Sequence, residues 1–347
     1  MKDFEAIEAA LAAEDPKEKI YRQLYQLNPR AYDSPIKTWP EFQARFPCDI
    51  PDASPSIIKS ILTEEEFFLD PDAQVSCFKN MRWCPPFFHK LDFIKIVYIL
   101  RGSSIFYING RQYNMQEGHF CIVSPGIEQA MLTRDDTSIA VNILLRASAF
   151  IQKFSAILTE QGILSAFFWR MAMTKYQNEV LYFHSAPDEV LRRNVLCIYD
   201  EVNLQPNPSS LIQESRVNIL LGEMMRRHRT DLVELEGLDE EVYQIPAILA
   251  DMKSHLAEAT LPWLAQRWNM REDELHNTLK RETGYGFSRL LSDLRLQRAA
   301  NLLEETDYSV EHIMEEIGIL DSNSFYHSFR KRYGLTPQQY KRGRIDL

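Results

Sequence analysis

Basic side chains are concentrated near the end of this 347-residue sequence, in FRKRYG and YKRGR. Clustered lysines and arginines bind phosphate groups, and on a nucleic-acid binder they mark the face that meets the backbone. The net charge of −10 for the whole chain argues against such a partner. From Pro246 onward, however, 14 Lys and Arg residues stand against 15 Asp and Glu residues, so this part is near neutral. A near-neutral domain can bind DNA when its basic residues share one face.

The five cysteines are odd in number, and no two have the C-x-x-C spacing of a zinc site or redox couple. Scattered thiols of this kind are typical of a reducing compartment. The N-terminal stretch MKDFEAIEAALAAEDPKEK is acidic where a signal peptide is basic and then apolar. No apolar run approaches the roughly 18–20 residues that cross a bilayer. We therefore expect a cytoplasmic protein with no membrane partner.

The last hundred residues contain an internal repeat. The segment LPWLAQRWNMREDELHNTLKRETG superimposes on SVEHIMEEIGILDSNSFYHSFRKRYG, so that Leu264 matches Ile313 and Leu275 matches Phe325. The offset changes from 49 to 50 residues between these pairs, so the turn differs by one residue. Each copy predicts a short helix, a tight turn and a longer helix that glycine ends. This is the helix-turn-helix layout, in which the second helix enters the major groove.

Capping residues support these helix boundaries. Thr260, Ser309 and Asp321 stand at N-cap positions, and Thr336 with Gln339 has the pattern of a capping box. Between the units, FSRLLSDLRLQRAANLLEET predicts one helix of about 20 residues and roughly 30 Å. One turn of B-DNA is about 34 Å. The sequence thus predicts an all-α domain in which a long helix spaces two DNA-reading helices for successive major grooves.

The segment from Ile245 to Arg342 resembles the DNA-binding domain of the AraC/XylS family of bacterial regulators. The motifs that carry this resemblance are KRETG, RLQRAANLLEET, SVEHIMEEIGILDSNSFYHSFRKRYG and GLTPQQYKR. Ile319, Met314 and Arg271 depart from the family's usual Phe, Ala and Ser, which alters packing or a cap and leaves the fold in place. The resemblance implies a transcription regulator that binds double-stranded DNA and has no catalytic residues.

The resemblance also implies which side chains face DNA. In the first unit these are His276, Asn277 and Lys280, and in the second they are Ser322, Asn323, Tyr326, His327, Arg330 and Lys331. Asparagine can pair with adenine through two hydrogen bonds, whereas the lysines and arginine are placed to touch phosphate. Asp273 would lie on the first reading helix as well, but the run Glu272-Asp273-Glu274 repels phosphate. The second unit is therefore the better supported of the two.

The stretch from Phe67 to Leu145 changes to short β-branched or aromatic runs. They read IKIVYIL, SIFYI, QYNM, HFCIV and SIAVNILL, and turn-forming residues separate them. Asn109-Gly110 between two of these runs is a strong hairpin signal, because both residues tolerate a positive φ. Many short strands at this spacing predict a small barrel or sandwich.

Part of this region resembles the cupin metal-binding motif, H-x-H-x3-E-x6-G. His89 and Gly102 are in place, but Leu91 replaces the second histidine and Lys95 replaces the glutamate. In the second motif the expected histidine falls at or beside Gln129. Three protein ligands are the usual minimum for a metal of this kind. We therefore predict no metal and no cofactor, and the alternative, a metal-dependent cupin-type enzyme, is disfavoured by the lost ligands.

Cupin-like barrels resemble the effector domains of many AraC-type regulators, often ones that govern carbohydrate use. The mouth of such a barrel holds a small ligand. The candidate lining residues are His89, Phe93, Lys95, Tyr107 and Gln129. We expect a regulator that responds to a small-molecule effector, a carbohydrate being one candidate. The remaining alternative is a ligand-independent regulator whose barrel serves only to dimerise.

The predicted fold is α+β and multidomain, with an N-terminal cupin-like β-barrel flanked by helices. Its parts are a helical and irregular extension (1–60), the effector barrel (61–146), a helical dimerisation segment (147–230), an acidic linker (231–245) and the DNA-binding domain (246–347). Within the dimerisation segment, Leu191, Val195 and Ile198 share one helical stripe. A stripe of this kind beside a barrel more often packs in the core, but it can also pair with its copy in a second subunit. We expect a homodimer, with RNA polymerase as a further candidate partner.

Overall fold

The chain falls into two compact units, one of residues 1–157 with 176–238 and one of residues 158–175 with 239–347. The structure is a computed structural model that describes residues 3–46, 61–68, 70, 72–147, 167–168, 179–236, 244–283 and 285–342. In these ranges the first unit is rich in strands and the second is helical. This confirms the predicted α+β multidomain class.

In the first unit, helices precede and follow most of the strands along the chain. Those before or among the early strands are α1 (Phe4–Ala12), α2 (Pro16–Leu27), α3 (Trp39–Arg45) and α4 (Glu64–Phe67). Two long helices come later, α5 (Glu189–Asn203) and α6 (Ser210–His228). Asp15 and Glu18 form a capping box that starts α2, and Asp188 caps α5 through the amides of Val190 and Leu191. These caps fix where the apolar faces of the helices begin.

Two antiparallel sheets form the centre of this unit. The larger sheet has the strand order β11-β10-β7-β4-β9-β2, with β2 (Val75–Lys79), β4 (Ile94–Arg101), β7 (Phe120–Val123), β9 (Ile139–Leu145), β10 (Val180–Phe183) and β11 (Leu232–Glu236). The smaller sheet has the order β6-β5-β8, with β5 (Ser103–Ile108), β6 (Arg111–Gln116) and β8 (Gln129–Leu132). Two short strands, β1 (Ile61–Leu62) and β3 (Lys90–Leu91), pair in parallel.

The turn between β5 and β6 is the predicted hairpin. Asn109 has a φ of 47° and Gly110 a φ of 79°, and Ile108 pairs with Arg111 across the turn. A Cβ atom at Gly110 would meet no other atom within 4 Å, so glycine serves the backbone conformation there rather than a close contact. The Asn109-Gly110 prediction is confirmed.

The core of the first unit lies between its two sheets. The larger sheet contributes Val97, Cys121 and Tyr182, and the smaller sheet contributes Phe106 and Met131, all of them buried. A second cluster forms on the outer face of the smaller sheet, where side chains of α2 and α3 pack against Ile105 and Leu132. Both faces of the smaller sheet are therefore covered. Closure of the two sheets into a cupin-like barrel stays a prediction.

One strand of the larger sheet comes from the predicted linker. Leu232–Glu236 forms β11 and pairs with β10, so that Leu235 lies opposite Leu181. The linker prediction for 231–245 is therefore wrong for these residues, and helix begins again at Gln244, while 237–243 lie outside the described residues. Strand β10 itself lies in the segment predicted as helical, of which 148–166 and 169–178 are also outside the described residues.

The described part of the second unit has the predicted layout of two helix-turn-helix units. Its helices are α7 (Gln244–Ser254), α8 (Leu261–Arg267), α9 (Glu272–Thr283), α10 (Phe287–Glu305), α11 (Val310–Glu316), α12 (Ser322–Tyr333) and α13 (Pro337–Arg342). The predicted caps are present, since Thr260, Ser309 and Asp321 accept the backbone amides of Trp263, His312 and Asn323 at 3.3, 3.1 and 3.0 Å. Thr336 and Gln339 bond reciprocally, as a capping box does.

Left-handed residues make the two turns. Asn269 has a φ of 51° in the first turn and Gly318 a φ of 73° in the second. Asparagine is among the few side chains that adopt this conformation readily, so it can replace glycine in the first turn. It cannot do so in the second, because a Cβ at Gly318 would lie 2.5 Å from the Cα atom of Ala257.

Candidate DNA-reading face and effector site

Helix α12 is held by its buried face and presents a polar face to solvent. Phe325 and Phe329 are buried in the cluster formed by α10, α11 and α12. The predicted residues Ser322, Asn323, His327, Arg330 and Lys331 are exposed. Since Asn323, His327 and Arg330 recur at helical spacing, they lie on one stripe. The structure therefore brings together the side chains that the sequence assigned to base and phosphate contacts.

Tyr326 takes a different position on this helix. It is half-buried and packs edge-on against Phe325, with ring centroids 5.9 Å apart. Burial raises the pKa of the Tyr326 phenol, so the hydroxyl stays protonated and can donate a hydrogen bond. Tyr326 thus lies at the edge of the exposed stripe rather than in its centre.

The end of α12 leaves basic side chains available to phosphate. Arg330 and Lys331 are exposed, whereas Arg332 donates to Asp293 of α10 at 2.8 Å. Gly334 ends the helix with a φ of 76° and donates its amide to the carbonyl of Arg330. The helix carries no acidic residue in its first turn. Its electrostatics therefore favour an approach to DNA.

Helix α9 is a weaker candidate for reading DNA. Asn277 and Lys280 are exposed, while Leu275 and Leu279 are buried. His276 is half-buried, because its ring packs on Gly286, where a Cβ atom would lie 2.6 Å from the ring carbon Cε1. His276 therefore has a structural contact that the sequence did not predict, and it is less exposed to solvent than Asn277 and Lys280.

The first turn of α9 is acidic on its exposed side. Glu272, Asp273 and Glu274 are all exposed, and Arg271 lies within 3.7 Å of Asp273 and 3.9 Å of Glu274. Carboxylates at a helix N-terminus stabilise the helix but repel phosphate. The two reading helices thus differ in charge, since the first turn of α9 is acidic and that of α12 is not, as the sequence predicted.

An arginine that sequence reasoning did not single out fastens the DNA-reading unit. Arg295 of α10 donates from Nε and Nη2 to the carbonyl oxygen of Leu256, at 3.0 and 2.7 Å. Burial lowers the pKa of this guanidinium, yet it stays charged because an arginine pKa is far above neutral. The contact ties the residues after α7 to the long spacer helix α10, so Arg295 positions the first helix-turn-helix unit.

In the first unit of the fold, His89 and Gln129 face the same interior. They form an isolated antiparallel bridge in which each backbone amide bonds the other's carbonyl, at 3.0 and 2.9 Å. Directly paired residues project to one side of a sheet, and Ile108, which pairs with Gln129, belongs to the interior core. Gln129 is 1% exposed, and neither its Oε1 nor its Nε2 has a hydrogen-bond partner among the described residues.

Lys95 points into the same interior. It is 6% exposed, and its Nζ lies 5.2 Å from the centroid of the Phe106 ring. Burial lowers the pKa of Lys95 to about 8, which leaves it mainly protonated at neutral pH. Burial and the charge of Lys95 together lower the pKa of His89 to about 3, so the imidazole is neutral. Its Nδ1 lies 3.1 Å from the carbonyl of Phe87, which makes Nδ1 the donor and leaves Nε2 as an acceptor.

Two other predicted lining residues do not join this group. Tyr107 alternates with Phe106 and Ile108 along β5 and therefore lies on the outer face of the smaller sheet, so its prediction as a lining residue was wrong. Phe93 is fully buried but packs against Phe67 and Phe68, with ring centroids 5.2 and 5.8 Å away. We call His89, Lys95 and Gln129 the interior polar group.

Two further features of the described ranges bear on chemistry. Within them, no group of three or more His, Cys, Asp or Glu side chains is arranged to hold a metal ion. No helix in the same part of the chain has the length and apolar character needed to cross a membrane.

Two family models match separate parts of the chain. A model of the AraC-like ligand-binding domain matches residues 81–160, and a model of a helix-turn-helix domain matches residues 264–343. The first match contains the interior polar group, and the second contains both reading helices.

Proteins similar in sequence are named as transcription regulators. The chain is 26% identical over 263 residues to the HTH-type transcriptional activator RhaS of Escherichia fergusonii, which covers 74% of this chain and 87% of that protein. It is 27% identical over 263 residues to RhaS of Enterobacter sp. (strain 638), with the same coverage of 74% and 87%. The C-terminal domain of AraT, a response regulator from Geobacillus stearothermophilus, is 28% identical over 31% of this chain and 89% of that one, with a TM-score of 0.28. The chain is a DNA-binding transcription regulator that combines an AraC-type helix-turn-helix domain with an AraC-like ligand-binding domain.

Proposed function

We propose that the second helix-turn-helix unit supplies most of the base recognition. Asn323 and His327 of α12 contact base edges, while Arg330 and Lys331 bind phosphate. In the first unit, Asn277 and Lys280 add contacts that the acidic first turn of α9 weakens. The observation that carries this proposal is the single exposed stripe of Asn323, His327 and Arg330 on α12.

Selection of binding sites from a random DNA library with the full chain tests this proposal. We expect one sequence motif to emerge, and the affinity for it to fall steeply as salt rises, because bound phosphates release counterions. Substitution of Asn323 should change the selected base at one position. Selection of the same motif by wild type and the Asn323→Ala variant would contradict the assignment of α12.

We propose further that the interior polar group binds a small-molecule effector without a metal. The buried amide of Gln129 and the buried cation of Lys95 are the supporting observations, since the amide atoms have no hydrogen-bond partner among the described residues and the ammonium is shielded from water. A carbohydrate is one candidate class. Operator affinity of the full chain, measured with and without candidate ligands, tests the response, and metal analysis of the purified chain tests the metal-free site. A ligand can shift the regulator only through different affinities for its two states.

We propose a homodimer formed through α6. Ile212, Ser215, Ile219 and Gly222 follow one another at intervals of three, four and three residues on the exposed face of this helix, and the two isoleucines are 44% and 51% exposed. This spacing is that of a coiled-coil seam. If a second copy runs antiparallel about Val217, each isoleucine meets a small residue, since Ile212 then faces Gly222 and Ser215 faces Ile219.

RNA polymerase is the further partner that we propose. The relatives reported above are named transcriptional activators, and an activator acts on the transcription machinery beside its operator. Reconstituted transcription from a promoter that carries the selected motif tests this proposal, with a rise in transcript that depends on the regulator as the expected result.

A further inference from the structure

The interior polar group has hydrogen-bonding capacity that neighbouring protein atoms leave unused. Besides both amide atoms of Gln129, the Oδ1 atom of Asn142 is buried without a partner among the described residues. Asn142 lies opposite Val97, and the next pair on the same face is Leu144 with Lys95. A buried polar group left unpaired destabilises the fold, because it has lost its hydrogen bonds to water without gaining others. Such an interior is therefore adapted to a polar molecule.

The charge in this interior is positive. Among the described residues, two factors act on the pKa of Lys95: burial lowers it and the nearby Cys121 raises it. No carboxylate contributes to the pKa of Lys95 in this part of the chain. A buried cation is stable when an anion pairs with it and is destabilising otherwise. The Phe106 ring offers only the weaker attraction between a cation and an aromatic face. A ligand that carries an anionic oxygen supplies the missing counter-ion.

The other polar atoms of this interior are best satisfied by hydroxyl groups. His89 Nε2, Gln129 Oε1 and Asn142 Oδ1 are acceptors, and an ionised carboxylate has no hydrogen to donate to them. A hydroxyl both donates and accepts, so a hydroxyl near the carboxylate can satisfy His89 or Gln129 while the carboxylate meets Lys95. An unsubstituted fatty acid would leave these acceptors unpaired, and a neutral sugar would leave Lys95 without a counter-ion.

We infer that the effector is a small hydroxy acid of the sugar-acid type, with its carboxylate on Lys95 and its hydroxyls on His89 and Gln129. This inference rests on the proposed function of the interior polar group as the effector site. It replaces the broader expectation of a carbohydrate with a charged class of ligand.

Matched pairs of ligands test the inference on the full chain. The probes are D-galacturonate with D-galactose, D-gluconate with D-glucitol, and D-glycerate with glycerol, together with octanoate and inorganic phosphate. Calorimetry and thermal melting measure binding. We expect at least one hydroxy acid to raise the melting temperature, and its neutral partner to bind on the order of 10- to 100-fold more weakly, as a charge-assisted hydrogen bond is lost.

Variants separate the charge from other effects. Lys95→Met keeps the length of the side chain and should weaken binding of the hydroxy acid on the order of 10- to 100-fold. Lys90→Met removes the same charge from an exposed residue of β3 and should leave binding unchanged. If Lys95→Met does not fold, Gln129→Leu provides the second test, because it removes hydroxyl contacts and should narrow the preference for gluconate over octanoate.

The following outcomes would overturn the inference. Equal binding of a neutral sugar and its acid, or equal binding by wild type and Lys95→Met, would remove the role of the carboxylate. Binding of octanoate or phosphate as tight as that of any hydroxy acid would remove the role of the hydroxyls. Silence from all three hydroxy acids would overturn the class. In each case, a change of operator affinity with a compound of another class would leave the proposed effector response standing.

Discussion

Glu18 on α2 and Arg82, which follows β2, form a buried ion pair. The carboxylate Oε2 lies 2.6 Å from Nη2 of Arg82, and Oε1 accepts the backbone amide of Arg82 at 2.9 Å. Lys79 of β2 adds a third contact at 3.1 Å. The side chains of Glu18 and Arg82 are 0% and 3% exposed. The N-terminal helices are thus fastened to the sheets by charges shielded from water.

Glu18→Gln should lower the free energy of unfolding by about 3–5 kcal/mol, because Arg82 would stay buried without its counter-ion. Chemical denaturation of the full chain measures this. Burial alone would raise the pKa of Glu18, but the hydrogen bonds from Arg82 hold it below its usual value. The contribution is therefore present above the unfolded-state pKa and is lost as pH falls through the lower folded-state pKa. Glu14→Gln, whose ion pairs are part-exposed, should cost less than about 1 kcal/mol, and equal losses would contradict the role of the buried pair.

Asn323→Ala and His327→Ala should each reduce the discrimination between operator and random DNA by about 1–3 kcal/mol. Arg330→Ala should instead weaken binding to both nearly equally, since phosphate contacts carry no sequence information. Arg332→Ala removes the same charge from the same helix, but Asp293 already occupies it, so its effect should be smaller. Fluorescence anisotropy with both DNAs measures these losses. A uniform loss for all four variants would mean that α12 does not read the bases.

Asp273→Asn with Glu274→Gln should raise the affinity for DNA, because two exposed carboxylates of α9 no longer repel phosphate. The gain should shrink as salt rises, since the effect is electrostatic. The same change should reduce stability by about 0.3–1 kcal/mol per residue, because it removes negative charge from a helix N-terminus. Titrations at two salt concentrations check the affinity. An unchanged affinity would place the start of α9 away from DNA.

Lys95→Met should stabilise the ligand-free chain, in contrast to its effect on ligand binding. The pKa of Lys95 falls from 10.5 to about 8 on burial, which corresponds to a penalty of about 3 kcal/mol below pH 8. The unfolded chain binds more protons than the folded one between these values, so stability should rise as pH increases from 8 toward 10.5. Denaturation at pH 7 and pH 9.5 compares the two proteins. His89 and Cys121 also face this interior. If the stability of Lys95→Met rose by the same amount between pH 7 and pH 9.5, the pH dependence would belong to these two residues.

Ile219→Glu should convert the proposed homodimer to a monomer, because it places a charge in the seam of α6. Leu204→Glu is the matched control, since Leu204 is 45% exposed but lies outside the stripe of Ile212, Ser215, Ile219 and Gly222. Gly222→Leu should also dissociate the dimer, although a Cβ at Gly222 meets no atom within 4 Å in one chain. Light scattering gives the mass. A dimer that survives Gly222→Leu would contradict the antiparallel pairing about Val217.

The repeat made the DNA-reading unit predictable to the level of its caps. Offsets, glycines and N-cap residues are local signals, and Thr260, Ser309 and Asp321 all cap as expected. The contact of His276 with Gly286 was not predictable, because it joins α9 to the N-cap residue of α10, and no local pattern encodes how these helices pack. Asn269 carried a weak signal, since it stands where the second turn has Gly318.

The sheets were harder to predict because neighbours decide their faces. Both sides of β5 are apolar, as the N-terminal helices cover Ile105 while the core covers Phe106, so alternation alone could not tell that Tyr107 faces outward. Strand β11 escaped prediction because Leu232–Glu236 lies in an acidic, polar stretch, and its strand conformation depends on pairing with β10. Long-range pairing of this kind leaves little trace in a local window.

The uncompensated charge of Lys95 also has a consequence for the life of the protein in a cell. A folded state weakened by a few kcal/mol populates open forms more often, and proteases degrade open forms. Any molecule that neutralises the buried ammonium would close this route by mass action. We therefore expect the steady-state abundance of the regulator to rise when its effector is present, so that ligand controls the number of regulator molecules as well as their state.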